Sequence, residues 1–363
     1  MDIKEYKCPN CNGTVPFHSV TQTMKCPSCD VEFETAALDD YQKELAASAT
    51  DHFGWGDAAQ AGQAWEGSEL DDLSQGSCPS CGAELVGDAN TIAMVCPYCG
   101  NAQILKKRLS GLLKPDYVIP FQLEKKDAVN AFKKFYEEKR LIPDCFKEEN
   151  HLDSIQGVYV PFWLFDAKAH GHIRYKATKT KSWSDSKYHY TQTDVYSVVR
   201  DGSLGFEKIP VDGSEKMDDS AMDALEPFDY AQLKDFQSTF LAGYSAEKYD
   251  VDAEVSKDRA KQRIKSTVET EFAESVGDYS SVSIESSTVK VEGGNVRYTL
   301  FPVWVLNTKY QKKNYQVIMN GQSGRMVGKL PVDEVKAKKY LLLYTGVWGV
   351  VFTLAIQVLR YVM

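Results

Sequence analysis

Eight of the nine cysteines in this 363-residue sequence fall into four CPxC pairs. The pairs make two sets of identical dimensions, each with fourteen residues between its two pairs. The first set is Cys8, Cys11, Cys26 and Cys29, and the second is Cys78, Cys81, Cys96 and Cys99. Two residues between paired cysteines let one tight turn present both sulfurs to one ion, and a hairpin of fourteen residues can bring the second turn opposite the first.

Four thiolates around one ion are the ligand set of a structural zinc site. Because protein sulfur fills all four positions, no position remains at which a bound water could be activated. The two sets therefore predict two structural Zn²⁺ ions in two tandem zinc ribbons, with no catalytic metal. Iron is the alternative metal that the same four thiolates leave open.

The cellular compartment can be predicted from the start of the chain. The first residues, MDIKEYKCPN, contain no apolar run of the kind a signal peptide needs, so we expect this end of the chain in the cytoplasm. Thiols stay reduced there, which favours metal binding over disulfides for paired cysteines. The ninth cysteine, Cys145, is expected to be a buried free thiol.

A second informative feature is an apolar run near the C-terminal end. The residues from Tyr340 to Leu359 carry no charge, and as a helix they would span roughly 30 Å, the thickness of a bilayer core. Lysines in 336–339 outnumber the single Arg360 on the other side, which places the bulk of the chain in the cytoplasm as a single-pass protein of the cell membrane. The alternative is a buried helix of a soluble protein.

Composition and pattern predict an α+β fold divided into five segments. The net charge of the chain is -9. Segment 35–77 holds nine acidic residues and one lysine, so its own net charge is -8 and the remainder is nearly neutral. The predicted segments are a zinc ribbon over 1–34, an acidic flexible linker over 35–77, a second ribbon over 78–108, an α+β body with two related lobes over 109–335, and a transmembrane helix over 340–363.

The body is predicted to contain two long helices and two β meanders. EKKDAVNAFKKFYEEKRL has apolar residues at helical spacing and is expected to stop at Pro143, and the second helix is expected over 252–276. Asp201-Gly202, Gly293-Gly294 and Asn320-Gly321 indicate turns between strands. YVPFWLF, at 159–165, resembles LFPVWVL, at 300–306, and both follow a long helix, which suggests two related lobes.

The remaining candidate residues have structural interpretations. Trp55 and Trp65 interrupt the acidic segment and are expected to cover a neighbouring surface, with a docking motif as the alternative. His170 and His172 form an HxH pair that we interpret as surface histidines of a strand. The sequence has no nucleophile elbow, recognisable pair of catalytic carboxylates or nucleotide-binding fingerprint, so we expect no enzymatic activity.

Several segments together resemble a known family. Besides the CPxC pairs they are DYVIPFQLEKKDAVNAFKKF, GVYVPFWLFDA, STFLAGYSAEKYD, FPVWVL and NGQSGRMVGKLPV. They are similar to bacterial membrane proteins of the Bacillus YdjG type, often labelled TFIIB-type zinc-ribbon or primosomal protein N-prime-like proteins. The resemblance covers nearly the whole chain, and the body motifs carry its specificity.

The resemblance implies a membrane anchor in a small complex with a second membrane protein and a flotillin-like SPFH protein. That complex would help to place a PspA-type protein at stressed membranes. The leading hypothesis is therefore a non-enzymatic adaptor, bound to the bilayer by its terminal helix. The alternative is a membrane-tethered ribbon protein that binds nucleic acid through Lys4, Lys7, Lys25 and 106–108. We consider nucleic acid the weaker prediction, because those basic patches are thin and lie beside the acidic segment.

Overall fold

A computed structural model describes residues 6–10, 13–19, 21–47, 52–55, 61–65, 73–88, 95–101, 105–107, 113–148, 152 and 154–362. Over these residues the fold is mixed α+β, as the sequence predicts. The helices are α1 (Thr35–Ala47), α2 (Lys125–Glu137), α3 (Asp219–Leu225), α4 (Ala253–Glu274) and α5 (Glu334–Val362). The strands are β1 (Phe17–His18), β2 (Thr23–Lys25), β3 (Glu32–Phe33), β4 (His52–Gly54), β5 (Leu73–Ser77), β6 (Glu84–Asp88), β7 (Leu105–Lys107), β8 (Tyr117–Val118), β9 (Gln156–Ser184), β10 (His189–Asp212), β11 (Lys234–Asp235), β12 (Ser245–Glu247), β13 (Ser281–Tyr310), β14 (Lys313–Asn320) and β15 (Met326–Gly328).

The chain divides into two compact units. The first unit comprises Met1–Ala59, Leu164–Val211 and Glu254–Val296, and the second comprises Gln60–Trp163, Asp212–Ala253 and Arg297–Met363. Helix α1 and strands β4 and β5 all come from segment 35–77, the predicted linker, so its described residues contribute regular structure to both units.

The first unit contains the first cysteine set. Strands β1, β2 and β3 form a small antiparallel sheet in that order. Met24 on β2 and Leu38 on α1 pack together with Cys8 and Cys26 in one buried cluster. Leu38 is 1% exposed, which explains why the start of the acidic segment is an ordered helix: its apolar side chain completes the small core under the cysteines.

The second unit is built on a sheet with the strand order β11-β8-β13-β9-β12-β6-β5-β7. An aromatic cluster of this unit lies under α2, where Phe132, Tyr136 and Phe146 are fully buried. A capping box between Glu124 and Asp127 begins this helix. The helix ends at Glu137, so the expectation that it continues to Pro143 was wrong. After Glu137 come four exposed residues, Glu138 to Leu141, which offer no apolar face to bury.

Two short strands pair with distant long strands in the same way. Strand β8 runs parallel to β13, with Tyr117 opposite Thr299. Strand β12 runs parallel to β9, with Ser245 opposite Val158. In the sequence, β8, α2 and β9 form one series of elements, and β12, α4 and β13 form a second. The short strand of each series, β8 or β12, pairs with the long strand of the other series.

Two glycine turns repeat this relationship. The N–H of Gly213 donates to the carbonyl of Pro161 at 2.8 Å, and the N–H of Gly321 donates to that of Pro302 at 2.9 Å. The carbonyl of Gly213 then accepts the N–H groups of 250 and 251, and that of Gly321 accepts those of 122 and 123. Asn320-Gly321 therefore forms a turn, as predicted.

The other two predicted glycine turns lie inside strands. Asp201-Gly202 falls within β10 and Gly293-Gly294 within β13. Close approach of neighbouring groups explains these glycines. A Cβ on Gly294 would lie 2.5 Å from the carbonyl oxygen of Asp166, and one on Gly202 would lie 3.3 Å from the ring of Phe272.

Candidate metal centres

The described cysteine turns share one backbone hydrogen-bond pattern. The N–H of the first cysteine of each pair donates to the carbonyl five residues later. These bonds are Cys8 to Gly13 at 2.8 Å, Cys26 to Val31 at 3.0 Å, Cys78 to Ala83 at 2.9 Å and Cys96 to Asn101 at 2.8 Å. Each bond closes a loop around its pair. In the three pairs for which both cysteines are described, the two sulfurs are presented on the same side.

A second bond closes three of these turns further. The N–H groups of Asp30, Gly82 and Gly100 donate to the carbonyls of Cys26, Cys78 and Cys96, each at 2.9 Å. The donor residues have positive φ angles of 58° at Asp30, 72° at Gly82 and 69° at Gly100. Glycine adopts this conformation at no steric cost, and aspartate is among the residues that tolerate it best. The type of residue that follows Cys29, Cys81 and Cys99 is thus explained by its backbone conformation.

The four sulfurs of the second set converge. All lie within 4.8 Å of one another, and the Cys78–Cys99 and Cys81–Cys96 pairs are each 3.6 Å apart. Tetrahedral binding with metal–sulfur distances near 2.3 Å places sulfurs about 3.8 Å apart. The observed spacing therefore fits one metal ion. Cys78 and Cys96 are buried, while Cys81 and Cys99 are partly exposed, so an ion can reach the set from one side.

The first set converges in the same way as far as it is described. The sulfurs of Cys8, Cys26 and Cys29 lie within 4.8 Å of one another, and those of Cys8 and Cys29 are 3.6 Å apart. The N–H of Asn10 also points at the Cys8 sulfur, at 3.4 Å, as donors around a thiolate do. Cys11 lies outside the described residues. Both sets could hold a metal ion.

The thiols of the second set differ in acidity. Burial raises the pKa of Cys96 and of Cys81. Burial opposes the thiolate of Cys99 as well, but the N–H of Asn101 and the neighbouring thiols stabilise it and lower its pKa to about 7. Since a metal binds thiolates and releases their protons, Cys99 is the ligand best prepared to bind near neutral pH.

The second set is bound to the body through the residues between its cysteines. The hydroxyl of Tyr98, in the last CPxC pair, donates to the carboxylate of Glu247 at 2.6 Å. The same carboxylate accepts the hydroxyl of Ser214 at 2.8 Å, and the side-chain amide of Asn307 donates to the carbonyl of Pro97. Burial raises the pKa of Glu247 to about 8. Sequence reasoning missed Glu247 and Ser214, because neither lies near a cysteine in the sequence.

The histidine pair makes contacts typical of a strand surface. His172 lies 2.9 Å from Asp201, and His170 contacts both Asp201, at 3.5 Å, and Ser203, at 3.1 Å. Among the described residues, only the two cysteine sets bring three metal-binding side chains together.

The remaining sequence candidates have ordinary packing partners. The Trp55 indole N–H donates to the carbonyl of Asp166, and Trp65 packs edge-on against Phe236, so both tryptophans cover neighbouring surfaces. Cys145 is free but only half-buried, since its residue lies at the edge of the α2 cluster. The thiol is free, as predicted, but the expectation that it would be buried was wrong.

Helix α5 is long and apolar enough to cross a membrane. Within Glu334–Val358, the most apolar window of 18 residues has a mean hydropathy of 1.8, and none of that window is buried against the protein. The helix begins six residues before the predicted span. The N–H of Asp333 donates to the carbonyl of Leu141 at 2.7 Å, and Lys336 binds the carbonyl of Ile142 at 2.9 Å and the carboxylate of Asp144 at 2.5 Å. The body thus holds the base of the helix.

Comparison with known proteins gives one full-length similarity. Over 350 residues the chain is 36% identical to a protein of Bacillus subtilis (strain 168) named "Uncharacterized protein YdjG", and the alignment covers 96% of each chain. No family model matches the sequence. No solved structure matches it either.

Proposed function

This chain belongs to the family of the Bacillus subtilis YdjG protein, and we propose that it is a membrane-anchored, non-enzymatic adaptor whose zinc ribbons present binding surfaces to partner proteins in the cytoplasm. The observation that carries the proposal is the exposure of α5. Leu342, Trp348 and Phe352 are 73%, 67% and 68% exposed. A helix that is apolar all round requires cover from water, and a bilayer supplies it along the whole length.

The anchor places the bulk of the chain on the cytoplasmic side of the cell membrane, with a single crossing. Lysines at 336, 338 and 339 precede the apolar run and Arg360 follows it. Positive residues remain on the cytoplasmic side of a crossing, which supports this orientation. Tyr340 and Tyr344 stack at 6.4 Å near the same end, as aromatic residues at the membrane–water interface do.

Each cysteine set holds one structural zinc ion in a zinc ribbon. Four thiolates, the 3.6 Å sulfur spacings and the closed turns suit zinc. All four coordination positions of the second set come from protein, so the ion has no place for a substrate or a reactive water. This arrangement supports a ribbon that shapes a binding surface and does not perform chemistry.

The body is a duplication of one strand–helix–strand lobe, with the short strands exchanged between the copies. The parallel pairs β8–β13 and β12–β9 support this interpretation. The matching turn bonds of Gly213 and Gly321 support it independently. The exchange means that each lobe takes its short strand from the other half of the sequence.

The partners that we propose follow from the family resemblance. They are a second membrane protein, an SPFH-type protein and a PspA-type protein, with a role in the response to membrane stress. The first ribbon is the part of the chain that we assign to the soluble partners, because the second ribbon is bound to the body through Tyr98 and Pro97.

Co-purification from native membranes tests the adaptor function. The tagged chain would be extracted in mild detergent beside two variants, one lacking residues 1–34 and one carrying Cys26→Ser and Cys29→Ser. A deletion of all residues before 108 would be unsuitable, because β5, β6 and β7 belong to the sheet of the second unit. We expect SPFH-type or PspA-type proteins with the wild type and their loss from both variants.

The outcomes separate the hypotheses. Partners that remain with both variants would contradict recruitment by the first ribbon. Replication or transcription proteins, or an association abolished by nuclease, would overturn the adaptor proposal in favour of nucleic-acid binding.

A further inference from the structure

An apolar groove opens where the base of α5 meets the end of α2. It lies entirely within the second unit and has a volume of about 910 Å³, within the range of small-molecule sites of about 300–1,000 Å³. Its floor is apolar and includes Ile142, Leu330, Leu341 and Tyr344. Leu341 is 64% exposed and Tyr344 52% exposed, so the groove continues directly onto the apolar surface of the helix.

The rim of the groove carries positive charge. Lys139 and Arg140 line it and are both exposed, together with the acidic Glu138. The ammonium of Lys139 lies 5.1 Å from the ring centre of Phe135, which also lines the groove. This contact holds the ammonium at the rim, beside the apolar floor. Exposed lysines at 338 and 339 add further positive charge at the start of α5.

The contacts between α5 and the loop after α2 set the position of the groove relative to the membrane-spanning stretch. Three bonds hold the base of α5 to the loop after α2: Asp333 to Leu141, and Lys336 to Ile142 and Asp144. When the uncharged stretch that begins at Tyr340 fills the bilayer core, Tyr344 lies one turn inside it. Arg140 precedes Leu141, which bonds to Asp333 before the start of α5, so Arg140 lies on the headgroup side of that stretch. The groove then faces the headgroup region, where lipid is the most abundant molecule.

We propose that this groove binds one anionic phospholipid, with an acyl chain on the apolar floor and the phosphate beside Lys139 and Arg140. The inference rests on the proposed membrane anchor. The apolar floor leads from the acyl region to the headgroups, and the rim supplies the charge that a phosphate requires. A helix of a partner protein would also cover the floor, but it would not explain two cations at the end nearest the body.

Native mass spectrometry of the full chain tests the site. The chain would be purified in mild detergent and exposed to equal amounts of phosphatidylglycerol and phosphatidylcholine. We expect the wild type to retain phosphatidylglycerol, and the Lys139→Gln/Arg140→Gln variant to lose about thirtyfold in its preference for that lipid. Lys126→Gln/Lys134→Gln is the matched control, because both lysines are exposed on α2 and lie away from the groove.

The result that would overturn the proposal is the same lipid preference in the rim variant and in the control, or no lipid retained by the wild type. Extraction of membranes with alkaline carbonate separates this failure from failure of the anchor. If the wild type is washed off the membrane, the anchor is wrong and the lipid site fails with it. If all three proteins stay in the membrane but the rim variant keeps its preference, only the lipid site is wrong.

Discussion

Trp163 and Trp304 make equivalent hydrogen bonds to loops that lie far from them in the sequence. The indole N–H of Trp163 donates to the carbonyl of Val251 at 2.9 Å, and that of Trp304 donates to the carbonyl of Leu123 at 3.3 Å. Val251 lies between β12 and α4, and Leu123 lies between β8 and α2. Each tryptophan of a long strand therefore binds the loop that leads into the helix of the other lobe.

We expect Trp163→Phe and Trp304→Phe to destabilise the protein to a similar extent. Both indoles are nearly inaccessible, at 1% and 3% exposure, so each substitution leaves a partly buried loop carbonyl without its donor, at a cost of about 1 kcal/mol. Thermal unfolding of the full chain in mild detergent measures the effect. Trp183→Phe is the control, because Trp183 is half-exposed at a hairpin end, and surface changes stay within about 0.5 kcal/mol. If either Trp163→Phe or Trp304→Phe has the melting temperature of this control, the two hydrogen bonds do not contribute equally to stability.

Removing a metal ligand should have different consequences at the two sites. We expect Cys26→Ser and Cys96→Ser each to lower the zinc content from about two ions to about one ion per chain. Cys96→Ser should also lower the melting temperature more, because its turn carries the Tyr98–Glu247 and Asn307–Pro97 bonds to the body. Elemental analysis by mass spectrometry gives the metal content and its identity. Iron in place of zinc, or fewer than one ion in the wild type, would refute the zinc assignment.

Local sequence patterns predicted the elements and the cysteine sites better than the pairing of the strands. CPxC spacing fixes a turn within six residues, helical periodicity identified α2, and the uncharged run identified α5. The pairing of Tyr117 with Thr299 joins positions far apart in the chain, and no local pattern specifies such a partner. The buried group of Tyr98, Ser214 and Glu247 was missed for the same reason. The turn prediction was wrong at Gly202 and Gly294, which lie in strands. Glycine is favoured both in turns and where a neighbouring group lies too close for a Cβ, so its presence alone does not distinguish the two.

Glu247 should make the stability of the protein fall as the pH rises. Burial raises its pKa to about 8, so between an unfolded pKa near 4.3 and that value the folded state binds more protons than the unfolded state. The stability from this group is therefore fully present below about pH 4 and is lost as the pH rises through about 8. The Glu247→Gln side chain cannot titrate. The substitution should therefore reduce the fall in the free energy of unfolding between about pH 5 and 8 by on the order of 3 kcal/mol.

Melting temperatures of Glu247→Gln and the wild type across that pH range check the prediction. Glu84→Gln is a suitable control, because Glu84 is only partly buried and pairs with Lys248 at 3.0 Å. A Glu247→Gln profile parallel to that of the wild type would show that Glu247 does not change its protonation on folding.

The positive φ angle at Gly100 should limit which residues can follow the last metal ligand. A Cβ at this position would meet no atom closer than 4.0 Å, so a substitution costs backbone strain without a steric clash. Asp30 adopts the same conformation at the equivalent place in the first set, and Gly100→Asp should therefore retain its metal. Gly100→Val should release it faster, because a β-branched residue at positive φ costs about 2 kcal/mol or more. The release of zinc to a coloured chelator measures this order. Gly205→Val is the control, because Gly205 lies in strand β10 with open space around it, and this variant should release zinc at the wild-type rate. Equal release rates from Gly100→Val and Gly205→Val would mean that the turn can form without positive φ.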